Sequence, residues 1–146
     1  MRAVTYTVRD AVSAPVNQVF HVLTDPGGMA ACFPGADEVQ STGPLASGTS
    51  ITVRFGERVT EFEVVAYAEP STLGWVERGG RQGWRTVFNL DPAGAGTALT
   101  IRNEWAPHSL GAWLRGRWFG KRDVEQHLER ILDNVLHALF RERPSF

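Results

Sequence analysis

Two periodicities divide the chain. Val4, Tyr6 and Val8 alternate with Thr5, Thr7 and Arg9, and alternation of the same kind recurs from residue 36 to residue 105. A period of two in β-forming residues marks half-buried strands. The spacing predicts further strands over 36–41, 49–55, 58–68, 72–78, 83–91 and 97–105. They are separated by Gly43-Pro44 to Gly48, Gly56-Glu57, Glu69-Pro70-Ser71, Gly79-Gly80 and Asp91-Pro92-Ala93-Gly94. Breaks this short favour sequential antiparallel pairing. One face of the run is bulky. Phe62, Val64 and Ala66 share a parity, followed by Trp75, by Trp84, Phe88 and Leu90, and by Leu99, Ile101 and Trp105.

Helical spacing occupies the two ends of the chain. Val16, Val19, Phe20 and Leu23 fall on one helical face, and Ser13-Ala14-Pro15 before them reads as a helix start with Pro15 at the first helical position. Asp25-Pro26-Gly27-Gly28 reads as its stop, a short second helix is expected over 28–32, and Phe33-Pro34-Gly35 turns the chain. Near the other end, Val124, Leu128, Ile131, Leu132, Val135, Leu136 and Leu139 form one stripe. Asp123 and Glu125 near its start and Arg141 and Arg143 at its end suit the helix dipole of an element over roughly 121–142. Gly111, Gly116 and Gly120 make 106–121 less regular, a turn and loop leading into that helix. Strands in a run with helices at the ends predict an α+β domain over 1–146: a curved antiparallel sheet of about seven strands against a long C-terminal helix, with one or two short helices after the first strand.

This order resembles the START-like helix-grip superfamily, also called SRPBCC, and within it the polyketide cyclase/dehydrase-like proteins. The matching residues are the opening strand with Ser13-Ala14-Pro15-Val16-Asn17-Gln18-Val19-Phe20, then Leu23-Thr24-Asp25-Pro26, the turn Phe33-Pro34-Gly35 and the closing amphipathic helix. The Pro-Gly at that turn is also similar to the carbon monoxide dehydrogenase accessory-subunit branch. The resemblance spans nearly the whole chain and implies a helix-grip fold with a cavity between sheet and long helix. Members include lipid carriers, hormone and allergen-type binders, aromatic polyketide cyclases, chaperone co-activators and ring-hydroxylase subunits. They share no catalytic motif, so the resemblance transfers no catalytic residue.

Composition removes several function classes. A net charge of -1 and a pI near 6.4 lack the basic footprint of a nucleic-acid binder. The single cysteine, Cys32, rules out an intramolecular disulfide and fits a reducing compartment. The start of the chain has no apolar signal-type core, and no stretch reaches the roughly 18 apolar residues of a membrane span. The chain therefore reads as soluble and cytoplasmic. His21, His108, His127 and His137 lack a metal-binding spacing, and no cofactor motif appears, so neither metal nor cofactor is expected.

The aromatic face has two readings from the residues alone: a packed core, or the wall of a pocket, toward which the resemblance tips it. Pocket walls are mostly apolar with a few placed polar groups. Phe62, Trp75, Trp84, Phe88 and Trp105 would supply apolar surface; Glu77, Thr86 and Asn103, of the same parity as the tryptophans, would orient a polar end. Trp113 and His108 would stand at the mouth. The plainer alternatives are a solvated Glu77 at a strand end and an exposed loop His108. Cys32 reads as a small buried hydrophobe rather than a nucleophile, since no adjacent base is evident. Arg54, Arg85 and Arg102 have the opposite parity and are expected on the solvated face, pairing with Glu61, Glu63 or Glu104. The basic, Trp-rich stretch 112–122 reads as a flap over the entrance, or as a surface for a membrane or an acidic partner.

The leading functional expectation is binding of a lipid-like, polyketide-like or otherwise hydrophobic or aromatic small molecule under the long helix. Two alternatives stand beside it. One is a cyclase or dehydratase that folds its substrate and moves a proton with one acid/base residue, Glu77 or His108. The other is a protein-interaction module built on 112–122. A homodimer is compatible with each.

Overall fold

The computed structural model describes residues 4–78, 85–105 and 124–139. Strand β1 (Val4–Val12) leads into helix α1 (Val16–Thr24), a short helix α2 (Pro26–Met29) and a 3-10 turn (Ala30–Cys32). Strands β2 (Glu38–Ser41), β3 (Ser50–Phe55), β4 (Arg58–Ala68), β5 (Thr72–Arg78), β6 (Arg85–Ala93) and β7 (Gly96–Trp105) follow. Helix α3 covers 124–139. The strands form one seven-stranded antiparallel sheet in the order β1-β7-β6-β5-β4-β3-β2. Six consecutive strands meander, and β1 closes beside the last of them.

The inner face follows the predicted parity with one correction. Pairing on β4 passes from Val64 opposite Trp75 to Ala66 opposite Gly74, with a register shift between them, and then to Tyr67 opposite Leu73. The extra residue of this bulge exchanges the faces. Ala66 therefore turns to the outer side, and Tyr67 turns inward to meet Phe20 edge-on at 5.5 Å.

Helix α1 buries Val19, Phe20, Val22 and Leu23, and α3 buries Leu128, Ile131, Leu132, Val135 and Leu139. Both stripes join the sheet in one apolar core. Pro15 caps α1 from outside rather than opening it: its backbone is extended, and its carbonyl accepts the amides of Gln18 at 3.0 Å and Val19 at 3.1 Å. Asp25 redirects the chain instead of stopping it, since its carbonyl accepts the Met29 amide at 2.7 Å and α2 starts at Pro26. Gly28 permits the tight contact that results. A Cβ there would lie 2.0 Å from the Val22 carbonyl oxygen.

Side chains fix the junctions. Thr97 Oγ1 donates to the Ala14 carbonyl at 2.7 Å, tying β7 to the β1–α1 corner. Asn134 Nδ2 on α3 donates to the Ala31 carbonyl at 3.3 Å, holding the long helix to the 3-10 turn. Pro92 lies inside β6, and the register shows why that is tolerated. Leu90 N–H donates to Ser71 at 2.8 Å on the β5 side; two residues on, the Pro92 nitrogen faces the same side beyond the last β5 pair, Thr72–Asn89.

The outer-face ion pairs match expectation for Arg102, which takes Glu104, and differ for Arg54. Arg54 pairs with Asp37 at 3.8 Å and Glu38 at 3.5 Å, and Arg102 with its strand neighbour Glu104 at 2.8 Å. Glu63 takes Arg78. For Arg54, carboxylates at the start of the adjacent edge strand β2 and just before it lie within reach, and neither Glu61 nor Glu63 is its partner among the described residues. No helix among the described residues is long and apolar enough to cross a membrane.

Candidate functional site

A cavity of about 270 Å³ lies between the sheet and α3. Its wall includes Cys32 at the end of the 3-10 turn with Phe33 and Pro34 after it, Phe55 and Arg58 at the β3–β4 turn, Phe62, Trp75 and Thr86 on the sheet, and His127 and Ile131 on α3. Register brings the sheet residues together. Thr86 stands opposite Trp75, Trp75 opposite Val64, and Phe62 opposite Ile51, so all three lining side chains share the inner face.

Aromatic contacts set the shape of the wall. Phe33 stacks on Trp75 with centroids 5.0 Å apart and tilts against Phe62 at 5.0 Å. Trp75 in turn meets Phe88 at 5.3 Å. Such pairs contribute about 0.5–1.5 kcal/mol each beyond the burial of their area. The turn that delivers Phe33 is thereby clamped to the sheet, and the Asn134–Ala31 hydrogen bond holds it from the helix side. At the β3–β4 turn the Arg58 guanidinium lies 5.1 Å from the Phe55 ring centroid, a cation–π contact.

Polar groups on the inner face are few. Asn103 on β7 is only 6% exposed and stands opposite Thr86. Its Nδ2 donates to Thr86 Oγ1 over a long 3.4 Å, while Oδ1 is buried without a hydrogen-bond partner among the described residues. An orphaned buried acceptor costs about 1–3 kcal/mol. Burial pushes the Cys32 thiol far up, so it is un-ionised at neutral pH and inert as a nucleophile. His127 keeps part of its ring in solvent. Desolvation of the rest, and then the charge of Arg130, hold its pKa below the ordinary imidazole value.

Of the residues predicted for a pocket, Phe62, Trp75 and Thr86 line this cavity, and Asn103 stands next to Thr86. Phe88 is fully buried behind Trp75. Glu77 is half-buried opposite Phe62 and outside the lining set. Trp105 ends β7 opposite Val4. Trp84, His108, Trp113 and the whole 112–122 segment lie outside the described residues. Arg58, Phe55 and His127 were not foreseen as wall residues. Their signals were present: Arg58 shares its parity with Phe62 and Val64, Phe55 with Ile51 and Val53, and His127 precedes Ile131 by one helical turn. Among the described residues, no group of three or more His, Cys, Asp or Glu is placed to hold a metal ion.

Residues 1–139 match the model of a family described as polyketide cyclase / dehydrase and lipid transport. None of the curated proteins matches the chain. Solved structures share its fold at low identity. Norcoclaurine synthase from Thalictrum flavum, in complex with dopamine and hydroxybenzaldehyde, superposes with a TM-score of 0.74 at 12% identity, over 99% of this chain and 90% of that one. Ara h 8.0201 gives a TM-score of 0.69 at 14% identity, over 97% of this chain and all (100%) of that one. The Aha1 dimer from Colwellia psychrerythraea gives 0.65 at 18%, over 93% and 96%. These likenesses carry the fold: a seven-stranded sheet, a short helix after the first strand and a C-terminal helix, which is the helix-grip arrangement. With the family model spanning 139 residues from the first, the chain belongs to the polyketide cyclase / dehydrase and lipid transport family.

Proposed function

We propose that the chain binds a small hydrophobic or aromatic molecule in the cavity between the sheet and α3. The observation that carries this reading is a void of about 270 Å³ whose wall includes the aromatic rings of Phe33, Phe55, Phe62 and Trp75. At roughly 30 Å³ of liquid volume per water, the space equals about nine waters. That is near the lower end of ligand pockets and suits one or two fused rings better than a long acyl chain. Thr86 and Asn103 would orient a polar end. Norcoclaurine synthase, which holds two small aromatic molecules on the same fold, supports the reading by analogy.

Native mass spectrometry of protein purified from its own host, with a tryptophan-quenching titration against lipids and aromatic compounds, tests this. The expected result is a co-purified mass or saturable quenching that weakens at least tenfold in Trp75→Leu. Unchanged fluorescence across both panels and a ligand-free mass would overturn it.

A second reading, proton-transfer chemistry of the cyclase or dehydratase kind, draws on His127. An imidazole on the cavity wall with a lowered pKa is neutral at pH 7 and can accept a proton. Its test is turnover of a poly-keto substrate: His127→Gln should abolish it, and unchanged turnover would remove His127 from the mechanism.

A further inference from the structure

The polar groups of the cavity sit at two separate places, and each asks for a different ligand group. The first is the Asn103–Thr86 pair. Asn103 is more than nine-tenths buried, and its Oδ1 has no hydrogen-bond partner among the described residues. Turning the amide over would satisfy Oδ1 with the Thr86 hydroxyl and orphan the Nδ2 donor instead. A hydroxyl complements either orientation, since it both donates and accepts. Thr86 lines the cavity, so a group lodged against it is within one side chain of the orphaned amide.

The second place is the β3–β4 turn. Arg58 stands opposite Phe55 at the start of β4, on the parity of Phe62 and Val64. Its guanidinium rests over the Phe55 ring and is not within ion-pair distance of any carboxylate among the described residues. Among the described residues, none of those lining the cavity is acidic; Arg58 and His127 are the basic ones, with Arg130 close to His127 on α3. Glu57, next to Arg58 in the turn, is exposed to solvent. A cation held at the rim of an aromatic wall attracts an anion, and a planar guanidinium fits a carboxylate through two hydrogen bonds.

We propose that the ligand is a small hydroxylated aromatic acid bound in a single orientation, with its hydroxyl at the Asn103–Thr86 pair, its rings between Phe33, Phe62 and Trp75, and its carboxylate at Arg58. This rests on the reading of the cavity as a ligand site and adds the ligand's chemical class and direction. The two polar contacts come from different strands and act on opposite ends of the ligand, so each can be removed without the other.

Calorimetric titration with four compounds tests it: a hydroxynaphthoate carrying its two groups at opposite ends, the naphthoate, the naphthol and naphthalene. The wild-type chain should bind the hydroxynaphthoate at least tenfold tighter than the naphthoate or the naphthol, with naphthalene weakest. In Arg58→Gln, an exposed position that leaves the core intact, the preference for the carboxylate should vanish while that for the hydroxyl remains. Asn103→Ala should do the reverse; should it fail to fold, the wild-type comparison of hydroxynaphthoate with naphthoate carries the same information. Equal binding of all four compounds, or a carboxylate preference that survives in Arg58→Gln, overturns the proposal and leaves the cavity reading standing. Binding of none of the four overturns both.

Discussion

Two neighbouring rows cross the inner face of the sheet, two residues apart along β1, β7, β6 and β5. The first runs Val8–Ile101–Phe88–Leu73–Tyr67, and its three central side chains are 0% exposed. The second runs Tyr6–Asn103–Thr86–Trp75–Val64 and faces the cavity through Thr86 and Trp75. The same strands, with the same backbone hydrogen bonds, build both. What separates them is the middle of each row. Ile101 and Phe88 fill the space before them with apolar volume. Asn103 and Thr86, two residues away along the same strands, are shorter and polar, and Phe33 covers the neighbouring Trp75 from across the gap. Secondary structure and register therefore do not decide where a cavity forms. Side-chain volume and polarity at two inner positions do.

The contrast can be broken at several points. Phe88→Ala in the filled row should cost about 3–5 kcal/mol, read from urea denaturation, because a buried phenyl leaves a hole the sheet cannot close. A loss below about 1 kcal/mol would mean that this row is not the filled one. Gly28→Ala should cost about 1–3 kcal/mol, since the new methyl meets a backbone carbonyl rather than a movable side chain. It should also weaken ligand binding, because the displaced segment carries Cys32 and Phe33 into the wall.

Asn103→Leu sharpens the comparison from the other row. Replacing a half-satisfied buried amide by an apolar group of similar size should leave stability unchanged or raise it by about 1 kcal/mol. A loss above about 2 kcal/mol would show the amide to be a structural group rather than one kept for a ligand.

The smallest expected effect is a pH dependence at His127. Its folded pKa lies below the ordinary value of 6.5, with burial first and Arg130 second as causes. Well above pH 6.5 the ring is neutral in folded and unfolded chains alike and contributes nothing. As pH falls through that value toward the folded pKa, the unfolded chain binds the proton first and stability declines. A His127→Gln chain followed by thermal unfolding from pH 7.5 to 5 should lose less stability than the wild type; parallel curves would show the shift to be without consequence.

Much of this architecture was legible in the chain. The strand run, the α1 face and the α3 stripe follow from periods of two and of 3.6, which burial imposes directly on sequence. The β4 bulge was not legible, because Phe62, Val64 and Ala66 continue an unbroken alternation and the register shift depends on pairing with β5. Parity placed Phe62, Trp75 and Thr86 on the inner face but was silent on how far the opposite wall stands off. Arg58 shares the inner parity but escaped because charge usually signals the solvated face; its position opposite Phe55 at the β3–β4 turn brings it to the cavity rim. Cys32, Phe33 and Pro34 belong to the wall through the tight α1–α2 crossing at Gly28, a contact between segments that no periodicity encodes.

Asn103, Thr86, Trp75 and Arg58 reach the site from four different strands, each through a side chain alone. The backbone ladder that holds those strands is indifferent to which side chain an inner position carries. Single substitutions can thus change the cavity wall one feature at a time, polar pair, ring or cation, without a compensating change elsewhere in the sheet. A scaffold of this kind diversifies by small independent steps, and likeness of fold at 12% identity is the outcome to expect of it.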